Sequence, residues 1–172
     1  MSALILNFLY FCFFTIFIFQ IGSYFTFKLK NKIADEYRSL KFFFGIFLIG
    51  NIIVFLNFFL PTNSYLTYLL LFIFFALSFR YKICYKYIFK IILINLIVYP
   101  VCLKMTFEYD AGLYHLPYQN ILRNEKIIFG IANISRFGFS SFQEYLGSVI
   151  WHPNFIFHKF LIGSFLTFFF YF

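Results

Sequence analysis

No charged residue occurs between Met1 and Phe27, and none between Phe42 and Phe79. A helix needs about 20 mostly apolar residues to cross the hydrocarbon of a bilayer, and both stretches meet that requirement. The remainder of the chain has the same character. Of its 172 residues, 63% are hydrophobic and only 12% are charged. Soluble domains are nearer 45–50% and 25%, so a water-soluble fold of this size could not cover so much apolar surface. Disorder, coiled coil, collagen-like repeats and a disulfide scaffold are excluded by the same composition. The fold class implied is an all-α polytopic transmembrane protein.

The first stretch has no basic n-region and stays apolar beyond the length of a signal peptide's core, so it reads as a span, about 2–27. Leu60-Pro61-Thr62-Asn63-Ser64 divides the second stretch with a turn signal, giving a helical hairpin of two spans, about 42–60 and 65–79. A fourth span covers about 87–103, its ends at Lys90 and Lys104 able to snorkel to the interface. A further apolar run covers 156–172 and has no basic flank, which is expected of the N-terminal portion of a longer protein.

The net charge of +8 raises the question of nucleic acid. Its placement answers it. Nine of the 14 Lys and Arg fall in two blocks, 28–41 and 80–90, each lodged between apolar segments. That is the pattern of cytoplasmic loops, and no basic face stands apart from the membrane runs to bind nucleic acid. Two spans separate the blocks, so both lie on one side. The reading is a cytoplasmic (inner) membrane protein with the 60–64 turn and residues 104–155 facing outward. Cys12, Cys84 and Cys102 form no C-x-x-C pair and read as small buried hydrophobes.

Residues 104–155 carry four of the six carboxylates. An outward polar loop of this length in so apolar a chain is the place to look for function. Asp110 is suited to cap a helix presenting Leu113, Leu116 and Ile121 on one side, lying along the membrane surface, with Pro117 kinking or ending it. Tyr114, His115 and Gln119 would then point elsewhere. Ser141-Phe142-Gln143-Glu144 is a capping-box pattern that starts a second helix. Asp110 or Glu108 could take a proton or meet a divalent ion. Arg123, Lys126 and Arg136 are outward cations suited to phosphate. No His, Asp and Glu set has the spacing of a dedicated metal site, and no G-x-S-x-G nucleophile motif occurs.

The run Tyr109-Asp110-Ala-Gly-Leu-Tyr-His-Leu-Pro, continuing through Ile-Phe-Gly-Ile-Ala-Asn-Ile-Ser-Arg-Phe-Gly-Phe-Ser-Ser, resembles a pattern of the GT-C class of bacterial membrane glycosyltransferases and their uncharacterised relatives. The resemblance covers about 105–150. It implies transfer of a sugar from a polyprenyl-phosphate carrier to a cell-envelope acceptor at the outer face, with membrane lipids as surroundings. It also implies an acidic base or metal contact at Asp110, with Glu108 second, and substrate contacts at Tyr114, His115, Arg123 and Arg136. A divalent metal is an open option for the cofactor. The common arrangement places the acidic loop after the first span, whereas four apolar segments precede it here. A non-catalytic polytopic protein, such as a subunit or transporter fragment, is the competing reading. It is set against the spans' few large polar residues, Gln20, Asn51, Asn57 and Asn95.

The orientation is testable with single cysteines and a membrane-impermeant maleimide on intact cells. Asn63→Cys should label directly and Asn31→Cys only after permeabilisation. The reverse pattern would invert the topology.

Overall fold

A computed structural model describes residues 2–28, 40–80, 85–104, 115–128, 142–150, 163, 166–168 and 170. All of its regular secondary structure is helical. The helices are α1 (Ser2–Lys28), α2 (Leu40–Asn57), α3 (Tyr65–Ser78), α4 (Tyr85–Lys104), α5 (Leu116–Asn124) and α6 (Phe142–Ile150). Three of them, within α1, α2 and α4, are long and apolar enough to cross a membrane. The four apolar helices fall where the uncharged runs predict, within two or three residues at each end. The fourth, α3, has 14 residues and extends about 21 Å, well short of a 30 Å hydrocarbon core. Pro100 lies inside α4, which continues through it to Lys104.

Helix α1 is the hub and packs against α2, α3 and α4. Lipid tails are as apolar as leucine, so close packing and small residues, rather than escape from water, must hold membrane helices together. The α1–α2 contact is built that way. A Cβ added at Gly22 would collide with the Lys41 carbonyl, and one added at Gly45 with the Ile18 carbonyl. Around this backbone contact Ile18, Phe19, Phe42, Ile49 and Ile53 are fully buried.

Polar side chains provide the other ties. Asn95 of α4 donates to Thr15 Oγ1 on α1 at 2.6 Å and accepts from Thr167 Oγ1 at 2.8 Å, joining three segments. Gln20 of α1 donates to the Ser78 carbonyl at 2.6 Å. That carbonyl is at the end of the short α3, where the helix's last C=O groups have no intrahelical donor and hydrocarbon offers none. Asn51 donates to Phe47 O of its own helix. Cys12 and Cys102 are buried in this packing.

Replacing Gly45 by Leu forces α1 and α2 apart and should cost roughly 3 kcal/mol or more, the upper end of overpacking. Asn95→Leu should cost only about 1 kcal/mol, the scale of a membrane hydrogen bond. Thermal unfolding in detergent checks the order; equal losses would contradict the packing described.

Candidate functional site

The two short helices sit at the end of the bundle that carries the α2–α3 turn. Asn57, the last residue of α2, is fully buried and donates through Nδ2 to the carbonyls of Leu60, Leu122 and Glu125. Thr62 donates to Leu122 O through both its backbone N–H, at 3.0 Å, and its hydroxyl, at 3.1 Å. Ile127 N–H returns a bond to Asn57 O at 2.9 Å. The last carbonyls of α5 therefore find donors in the turn at the end of α2, as a helix end buried in protein requires.

Helix α6 goes deeper. Tyr145, Leu146 and Ile150 belong to the main core together with Phe14, Ile49 and Ile53. Tyr68 of α3 donates to Val149 O at 3.1 Å, so α6 packs on α2 and is tied to α3. An apolar groove of about 200 Å³ lies here, walled by Phe13, Phe14 and Phe17 of α1, Phe75 of α3 and Leu146 and Ile150 of α6.

Helices α5 and α6 face each other through a polar stripe. His115, Gln119 and Arg123 recur every four residues and so share one face. His115 Nδ1 meets Glu144 Oε1, and Gln119 Nε2 donates to Glu144 Oε2 at 2.9 Å. Arg123 Nη1 donates to Ser148 O at 3.1 Å, near the C-terminus of α6. Gly147 permits the approach, since a Cβ there would lie 2.5 Å from the Gln119 amide nitrogen. The Glu144 side chain is 4% exposed and that of His115 is 54% exposed. The donor and acceptor roles at Nδ1 depend on the ring's tautomer, and a proton on Nδ1 would be donated to the carboxylate. Beside them, burial and then the neighbouring Tyr118 push the Tyr145 phenol well above its ordinary range. It stays neutral throughout the physiological range.

Several sequence expectations change. Pro117 is in the first turn of α5, where its missing N–H costs nothing; the helix expected from Asp110 up to it lies outside the described residues. The buried side of α5 is Tyr118, Gln119 and Leu122 rather than the side bearing Leu113, Leu116 and Ile121; it faces protein, and Gln119 is fully buried. The capping-box reading gives the right start for α6, at Phe142, but both Glu144 oxygens engage α5. Of the expected site residues, the structure brings His115 and Arg123 onto one face. Glu108, Asp110, Tyr114 and Arg136 lie outside the described residues, as does the proposed Asp110 cap. Glu144, Gln119 and Asn57 join the site only through the structure, although the four-residue spacing of His115, Gln119 and Arg123 is present in the sequence. Among the described residues no group of three or more His, Cys, Asp or Glu is placed to hold a metal ion.

Comparison with protein-family models, curated proteins and solved structures finds no match for this chain. The class that the fold defines is a polytopic α-helical membrane protein.

Asn57→Leu would take this donor from the Leu60 and Glu125 carbonyls, while Leu122 O keeps Thr62, a loss of about 1–3 kcal/mol. Trypsin should then cut after Arg123 and Lys126 roughly tenfold faster, as expected for about 1.4 kcal/mol of easier opening. An unchanged rate would contradict the docking.

Proposed function

We propose that the chain is part of a GT-C-like membrane glycosyltransferase of the cytoplasmic membrane, with residues 104–155 facing outward. It transfers a sugar from a polyprenyl-phosphate carrier to a cell-envelope acceptor. The observation that carries this reading is the double role of α6. One part of it walls the apolar groove with Leu146 and Ile150, while Glu144 of the same helix joins His115 at the bundle end. A lipid-linked sugar has this division, with a long apolar tail and a phosphate at the membrane surface. Transfer requires a base for the acceptor hydroxyl and a group that stabilises the departing phosphate. Asp110 is the base in this reading, with Glu108 second. Tyr114, His115, Arg123 and Arg136 are substrate contacts, with Arg123 or Arg136 as the phosphate partner. A divalent ion, if used, would have Asp110 among its ligands and would neutralise phosphate charge.

One observation favours the competing reading of a non-catalytic subunit. Arg123 uses a guanidinium donor on the Ser148 carbonyl, a structural task.

The test is release of decaprenyl phosphate from decaprenyl-phosphate-linked hexoses by the full-length protein in native membranes. Asp110→Asn should reduce transfer by about 100-fold or more. Near wild-type transfer by the variant would remove Asp110 from the mechanism. No transfer by the wild type from glucose, galactose or mannose donors would favour the non-catalytic subunit.

A further inference from the structure

We infer that His115 is the proton donor to the departing phosphate and that Glu144 is its positioning residue. The inference rests on the transfer reading above but assigns a step that neither the sequence pattern nor that reading assigns.

Three features of the pair carry it. First, among the described residues the ring is held through Nδ1. Nδ1 meets the buried Glu144 carboxylate, and the side chain is half-exposed, so a ligand can approach the ring from solvent. Second, the carboxylate is itself fixed. Gln119 donates to its other oxygen, and Gln119 is packed against Gly147, which gives the carboxylate a second tie to α5. A carboxylate on Nδ1 fixes the tautomer and stabilises the imidazolium form, the arrangement by which an imidazole serves as an oriented acid or base. Third, α6, which supplies the carboxylate, also walls the apolar groove, so tail and phosphate would be read from one helix.

The step balances as follows. The acceptor oxygen forms a bond to the sugar's anomeric carbon as the bond from that carbon to the phosphate oxygen breaks. The electron pair stays on the phosphate oxygen, which takes the Nε2 proton of an imidazolium; the ring's other proton stays on Nδ1 beside Glu144, leaving the neutral imidazole. The acceptor's proton passes to the base, Asp110 in the reading above, and water later returns a proton to the imidazole. Glu144 keeps its charge throughout and acts only through the ring.

Chemical rescue separates this role from a structural one. In the decaprenyl phosphate release assay, His115→Gly should lose about 100-fold or more in kcat, the scale of general acid catalysis. Added imidazole should restore a substantial part of that loss. His115→Gln, closer in size, should show the same loss with an unchanged elution profile in detergent. Glu144→Gln should lower kcat with little change in KM, and 15N NMR of histidine-labelled protein should show the His115 proton shifting away from Nδ1. Transfer by either His115 variant within threefold of wild type would overturn the inference, as would a loss that imidazole does not relieve in folded protein. Retention of the Nδ1–H tautomer in Glu144→Gln would overturn the positioning role. A wild type without transfer fails at the earlier step, the transferase reading itself, and the acid role falls with it.

Discussion

Within hydrocarbon a polar group finds no water, so each must find its partner inside the protein. Most of this architecture follows from that constraint. The short α3 ends on a carbonyl that Gln20 of α1 satisfies, so α1 supplies what α3 lacks in length. Asn95 meets Thr15 and Thr167, and the three residues fix α1, α4 and the C-terminal segment together. Asn57 serves the turn and the end of α5 together. Polar residues in the spans of such a chain invite comparison with an ion pathway. Here Gln20, Asn51, Asn57 and Asn95 all bond to backbone or to neighbouring helices.

The same economy shapes the bundle end. Because α6 enters the core beside α2, its Glu144 is drawn out of water and must be paired. His115 and Gln119 do this from α5, and Gly147 brings α5 close enough. A buried carboxylate fixed by an amide, with a half-exposed imidazole in front, results from packing and is also an arrangement suited to proton transfer. Structure and proposed chemistry therefore share the same atoms, which is why rescue by imidazole, rather than loss of activity alone, separates them.

The spans were legible because length and absence of charge are direct physical requirements of a bilayer, and Pro61-Thr-Asn-Ser is a local turn signal. Ser141 and Glu144 likewise marked the start of α6 locally. The buried face of α5 was not legible. Apolar spacing favoured Leu116 and Ile121, but the buried side is Tyr118, Gln119 and Leu122, because the polar Gln119 meets the buried carboxylate of α6. The capping pattern at Ser141 and Glu144 describes what a side chain can do locally and cannot see the helix that packs across Glu144. The glycines at 22 and 45 gave no signal by themselves, because their meaning lies in another helix's carbonyls.

The central claim is that α5 and α6 are part of the bundle's packed core rather than helices resting on a lipid surface. Hydrogen–deuterium exchange of the protein in nanodiscs tests it most directly. The account predicts slow exchange in 118–124 and 145–150, within reach of that in α1 and α2. Exchange of both segments at the rate of unprotected peptide, with α1 and α2 still protected, would contradict it.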